Sequence, residues 1–116
     1  MKRILVVDDE EAIRLLYKEE LTEEGYDVDL AVDGLDALRK MEEARPDLMT
    51  IDLRMPGMDG IELLGRVRIL HRDLPIIICT AYGDFRSDFG TWASDCFLTK
   101  SADLQELKGK IRELLA

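Results

Sequence analysis

Three short apolar runs constrain this chain more than any other feature: Ile4-Leu5-Val6-Val7, Leu48-Met49-Thr50-Ile51 and Ile76-Ile77-Ile78-Cys79. A strand apolar at nearly every position must be covered on both faces, which is the condition of a parallel sheet flanked by helices. Each run is followed by an amphipathic stretch long enough to be a crossover helix. The pattern predicts strands at 3–8, 26–31, 47–52, 75–80 and 95–99, and helices at 10–24, 33–44, 59–71, 84–92 and 103–115. Five such units make an α/β chain with a mostly parallel sheet.

The helices carry their own signatures. Ile13, Leu16, Tyr17 and Leu21 form an apolar stripe at helical spacing. Asp59 with Glu62, and Asp103 with Glu106, read as N-caps with a carboxylate three residues on. Leu104, Leu107, Ile111 and Leu114 supply the buried face of the last helix. By contrast, Tyr26-Asp-Val-Asp-Leu-Ala31 alternates apolar and charged residues, as a half-exposed strand does, and the fifth strand is short and less apolar. Strands 1, 3 and 4 are therefore central and 2 and 5 are edges. The order 2-1-3-4-5 of a doubly wound, flavodoxin-like (βα)5 sandwich meets that condition, with its switch point between strands 1 and 3.

Composition narrows the function classes. A chain of 116 residues fits a single domain spanning 1–116. Its net charge of -9 argues against a nucleic-acid or anionic-membrane surface, each of which needs a basic footprint. It permits a cation site or a basic protein partner. Cys79 and Cys96 belong to no CxxC or Cys/His cluster, so they read as small buried residues in a reducing cytoplasm. The start, Met1-Lys-Arg-Ile-Leu-Val-Val-Asp-Asp-Glu-Glu11, is broken by acids too soon for a signal peptide or a membrane span.

Chemistry-bearing residues sit at the strand ends. Asp8 and Asp9 end strand 1, Asp52 ends strand 3, Thr80 ends strand 4 and Lys100 ends strand 5. Ligands of open α/β sheets bind beyond these ends. Carboxylates ~4 Å apart repel by ~4 kcal/mol at an effective dielectric near 20. A hard divalent cation such as Mg²⁺ or Mn²⁺ offsets that and favours carboxylate ligands. A cation together with Lys100 and Thr80 makes a receptor for a phosphoryl group, and Asp52, central among them, is placed as the nucleophile that becomes an aspartyl phosphate.

The motifs Ile4–Glu10 (ILVVDDE), Asp47–Gly60 (DLMTIDLRMPGMDG), Pro75–Asp84 (PIIICTAYGD) and Phe97–Lys100 (FLTK) resemble, in this order and over essentially the whole chain, the receiver domain of two-component response regulators. The resemblance implies that Asp52 is the phosphoacceptor. It implies Mg²⁺ held by Asp9, Asp52 and the backbone carbonyl of Arg54, with Asp8 acting through water. Thr80 and Lys100 would contact the phosphoryl group, and Thr80 and Phe97 would form the switch pair. The implied phosphodonor is a histidine kinase or histidine phosphotransfer protein. The fourth helix, fifth strand and fifth helix would form the signalling face toward a downstream protein or output domain, and a face for a homodimer.

The chain departs from the family pattern in three places. Ser101 replaces the usual proline after the lysine, and a cis bond before serine would cost ~2.5–4 kcal/mol. The stretch between Thr80 and Lys100 is short and holds Gly90, so a short or irregular fourth helix is expected there. Its Phe85, Phe89 and Trp92 read as packing against the sheet before a partner patch. Arg54 and Tyr82 each lie two residues after a pocket residue, where they would flank the phosphoryl group. His71 reads as exposed and unrelated to phosphotransfer. Two rival classes remain in view. A phosphohydrolase of the haloacid-dehalogenase type would need a second aspartate at position 54, where this chain has arginine. A pure interaction module would not need all five pocket residues. A flavin or nucleotide site has little support without a glycine-rich loop after a strand. The chain ends after the fifth predicted helix, which leaves a single-domain regulator and the receiver of a longer protein both open.

Overall fold

The apolar runs become the middle of one five-stranded parallel sheet in the order β2-β1-β3-β4-β5, with β1 (Arg3–Val7), β2 (Asp27–Ala31), β3 (Leu48–Ile51), β4 (Ile76–Thr80) and β5 (Cys96–Thr99). The helices are α1 (Glu11–Glu23), α2 (Gly34–Glu43), α3 (Gly60–Leu70) and α4 (Gln105–Leu115), the last being the helix expected over 103–115. This computed structural model describes residues 1–80, 94–100 and 104–116, with the backbone alone at Thr80. The helix expected at 84–92, Tyr82, Gly90, the aromatic residues of that stretch, the Lys100–Ser101 bond and the Asp103 cap lie outside the described residues.

Alternation along each strand sends side chains to two separate cores, as the pleat requires. Leu5, Val7, Met49, Ile51, Ile76 and Ile78 face α2 and α3, where they meet Ala37, Met41, Leu63, Leu64 and Val67. Ile4, Val6, Leu48, Ile77 and Cys79 face the other layer and meet Tyr17 and Leu21 of α1 and Leu107 and Ile111 of α4. Edge strand β2 leaves Asp27 exposed while burying Val28 and Ala31. The expected stripe of α1 is the packed one, with Tyr17 and Leu21 buried and Ile13 and Leu16 partly so.

The starts of α2 and α3 follow from capping. Asp59 accepts the Glu62 N–H at 2.9 Å, as its spacing predicts. Asp33 caps α2 in the same way, accepting the Asp36 N–H at 2.8 Å. At the opposite end of the sheet from these caps' neighbour Asp52, Arg68 ties α3 to the start of β5. Its guanidinium donates to the Leu74 carbonyl at 2.6 Å and to Asp95 at 2.9 Å, and Asp95 also accepts the Ile76 N–H at 2.8 Å.

Candidate phosphoacceptor and cation site

The acids at the strand ends are fixed by the sheet itself. The Asp52 N–H donates to the Val7 carbonyl at 3.0 Å and the Asp8 N–H to the Ala31 carbonyl at 3.2 Å, so both residues extend the ladder by one step. Asp8 then spends one oxygen on the chain reversal, where Oδ1 accepts the Glu10 N–H at 2.9 Å. Arg14, one turn into α1, donates to the Asp8 carbonyl at 2.7 Å and holds the helix against this turn. Asp52 Oδ1 accepts the Arg54 N–H at 3.3 Å.

The turn after Asp52 explains its glycines. Gly57 has φ +75°, the left-handed region that side chains avoid. At Gly60 the reason is proximity: a Cβ there would lie 2.4 Å from the Asp52 carbonyl oxygen and 2.6 Å from Leu53 Cα. The N-terminus of α3 is thereby pressed against the backbone that carries Asp52, with the Gly60 N–H donating to the Leu53 carbonyl at 3.0 Å.

Asp8, Asp9, Glu10 and Asp52 each present a carboxylate oxygen within 4.8 Å of the others. Lys100 reaches over the intervening strand to them. Its Nζ lies 2.7 Å from Asp8 Oδ2, 3.1 Å from Asp52 Oδ2 and 3.7 Å from Glu10 Oε1. The central three side chains are deeply buried, with 10% of Lys100, 4% of Asp8 and 5% of Asp52 exposed. Asp9 and Glu10 are exposed and open the cluster to solvent.

Burial, then the neighbouring Asp8 charge, pushes the Asp52 carboxyl above its usual range, against the pull of Lys100. Burial works against the Lys100 charge as well, but Asp8 and Asp52 outweigh it and hold the ammonium above its ordinary pKa. The donor set is all oxygen, closely spaced, partly exposed and in charge excess over its one lysine. It fits a hard divalent cation. Beside it an open cleft of about 480 Å³ is lined by Asp9, Leu53, Arg54, Met55, Pro56, Asp59 and Ile61.

Most of the expected constellation is therefore together: Asp8, Asp9, Asp52 and Lys100 meet at one end of the sheet. Thr80 ends β4 opposite Thr99, one residue before Lys100. Phe97 is half-buried against the α2–α3 core. Glu10 was not among the residues singled out from sequence, although it directly follows the acidic pair; its own exposure hides its place in the cluster. His71 corrects an expectation. It is half-buried, because it packs at the end of α3 and its Nδ1 accepts from Arg45 Nε at 3.4 Å. It sits a full helix length, ~16 Å, from the α3 end that touches Asp52.

Comparison with known proteins agrees with this geometry. Residues 4–112 match the profile of the response regulator receiver domain. Over 116 aligned residues the chain is 36% identical to sporulation initiation phosphotransferase F of Bacillus subtilis, covering 98% of this chain and 94% of that one. It is 39% identical to response regulator MprA of Mycobacterium leprae, covering 97% of this chain and half of that longer protein. Among solved structures, response regulator TrrA of Thermotoga maritima in complex with Mg²⁺-BeF superposes with a TM-score of 0.96 at 50% identity, covering 99% of this chain and all of that one. TrrA in complex with histidine kinase ThkA gives 0.94 at 49% identity, with complete coverage of both.

Proposed function

Because the chain belongs to the response regulator receiver family, whose members are signalling modules and not turnover enzymes, we propose that Asp52 accepts a phosphoryl group from a phosphohistidine. The observation that carries this reading is the Asp8–Lys100–Asp52 arrangement, with its 2.7 and 3.1 Å contacts, beside two exposed acids. The donor is a histidine kinase or histidine phosphotransfer protein, in line with the TrrA–ThkA complex.

One Asp52 oxygen forms the new O–P bond while the N–P bond of the donor breaks, and the electron pair returns to the imidazole. The backbone holds Asp52 in place, so little reorganisation is needed at the moment of reaction. Lys100, already 3.1 Å from Asp52, follows the charge onto the phosphoryl oxygens, and Thr80 donates a hydrogen bond there. Asp9, Asp52 and the Arg54 carbonyl would hold Mg²⁺ (or Mn²⁺) directly, with Asp8 through water. When bound, the cation neutralises charge on the transferring group. Phe97, half-buried beside β4, is the aromatic partner of Thr80 in the switch. The work is done in the cytoplasm; among the described residues no helix is long and apolar enough to cross a membrane. The downstream partner is a protein or output domain reading the surface around β5 and α4.

Intact mass after incubation with Mg²⁺ and a small phosphodonor tests the assignment. One phosphoryl adduct, absent in Asp52→Ala, is expected; an adduct that survives Asp52→Ala sinks it. Steady turnover of a chromogenic phosphate ester would instead favour the hydrolase reading.

A further inference from the structure

Glu10 belongs to the acid cluster but has no part in the ligand set assigned above. It is the N-cap of α1, yet its side chain makes no capping hydrogen bond. The first turn closes on its backbone instead, with the Arg14 N–H donating to the Glu10 carbonyl at 3.1 Å. The carboxylate is turned to the strand ends, where it is 62% exposed and its Oε1 lies 3.7 Å from Lys100 Nζ. That is beyond hydrogen-bonding distance, while the 2.7 and 3.1 Å contacts of Lys100 to Asp8 and Asp52 are within it.

The oxygens of Asp8 and Asp52 are divided alike. In each, Oδ1 accepts a backbone N–H, from Glu10 at 2.9 Å and from Arg54 at 3.3 Å. In each, Oδ2 faces the Lys100 ammonium. A divalent cation held by Asp9 and Asp52, with Asp8 reached through water, therefore competes for the oxygens that Lys100 occupies. A dication also repels the ammonium at this range. The lysine has to give ground, and its side chain is only 10% exposed, so displacing the ammonium without a new partner is costly. Among the described residues three acids lie within ion-pair distance of Nζ, and Glu10 is the one that this cation leaves to the lysine.

We infer that Glu10 is a positioning residue for Lys100: when a divalent cation takes Asp9 and Asp52, the ammonium moves off Asp8 and Asp52 onto the Glu10 carboxylate. The exchange keeps Lys100 charged and paired beside Asp52 until a phosphoryl group arrives. Glu10 thus acts on the cation through the lysine and not as a ligand. The inference rests on the phosphoacceptor reading for the place of the cation.

A double-mutant cycle read by calorimetric titration with Mg²⁺ tests it. Glu10→Gln is expected to raise the Kd for Mg²⁺ about tenfold in the parent background and at most about twofold in Lys100→Met, where no lysine has to be rehoused. Glu11→Gln makes the same charge change at the next residue, also exposed, and is expected to raise Kd by about twofold or less in both backgrounds. The metal-free melt of Glu10→Gln stays close to that of the parent, since the 3.7 Å contact is loose. A Glu10→Gln effect of equal size with and without Lys100 makes Glu10 a ligand or a bare charge and overturns the inference, as does an effect no larger than that of Glu11→Gln. Intact mass after incubation with a small phosphodonor separates the two failures. A parent that takes no adduct on Asp52 overturns the phosphoacceptor reading, whereas one that takes it and shows no coupling between Glu10 and Lys100 overturns this inference alone. A parent that binds no Mg²⁺ overturns both.

Discussion

Lys100→Met removes the ammonium at the centre of the acidic site while keeping the length of the side chain. In the parent, Nζ lies 2.7 Å from Asp8 and 3.1 Å from Asp52, both nearly inaccessible to water. Removing one partner of a buried pair costs ~3–5 kcal/mol, because the other charge is left uncompensated. The cost has a ceiling, since the site can relax by taking up a proton. Protonating an ordinary carboxyl at pH 7 costs about 4 kcal/mol, from ~1.4 kcal/mol per unit of pKa. Asp52 starts above the ordinary range, so its ceiling is lower. A loss of about 3 kcal/mol follows, or roughly 12 °C in Tm for a domain of this size. The sign with pH is definite. Lys100 is held above its ordinary pKa, so its contribution is complete below ~10.4 and disappears as pH rises through the folded value. Toward acid the gap also narrows, because the uncompensated carboxylates of the variant protonate. Mg²⁺ should recover more stability in the variant than in the parent, since the lysine no longer competes for Asp8 and Asp52. Thermal melts from pH 4 to 11, with EDTA throughout and with Mg²⁺ near neutrality, measure all of this. A variant as stable as the parent at neutral pH without metal, or a gap that widens toward acid, refutes the reasoning.

Asp52→Asn should melt above the parent at pH 7 without metal, because a carboxyl with a raised folded pKa costs stability that grows as pH climbs through its range; the difference should vanish toward pH 3. Asp9→Asn alters an exposed side chain and should leave the metal-free melt nearly unchanged while removing most of the Mg²⁺-induced rise, which for the parent is about 1.4 kcal/mol at ten times Kd. Gly60→Ala forces a Cβ against the Asp52 carbonyl and Leu53 Cα, so a loss of about 1–3 kcal/mol and slower phosphorylation by a small donor are expected together. Asp59→Ala removes the α3 cap for about 1 kcal/mol by denaturant melt, with phosphorylation little changed.

How far the residues alone reach can be judged element by element. The continuous runs ILVV, LMTI and IIIC announced the central strands, because only a strand covered on both faces tolerates apolar residues throughout. The alternation in β2 announced an edge for the complementary reason. Those two patterns put strands 1, 3 and 4 in the middle and 2 and 5 at the edges, a condition that the observed order 2-1-3-4-5 meets, with Asp8, Asp9, Asp52 and Lys100 converging at one end. Local chemistry announced the Asp59 cap, since capping depends on residues three apart. The Asp33 cap of α2 was not singled out from sequence and is shown by the hydrogen bond it accepts from the Asp36 N–H.

Distances between elements were not legible. The sequence determined that carboxylates gather with a lysine near them, because strand direction and pleat are periodic and local. Only the tertiary structure decided that Lys100 bridges Asp8 as well as Asp52, that Glu10 joins the cluster, and that Gly60 must be glycine because α3 touches the Asp52 backbone. It also decided that His71 is half-buried against Arg45 and that Arg68 anchors β5 through Asp95. Most of these are meetings of groups far apart in the chain. Such meetings depend on packing at ångström scale, which no periodicity encodes.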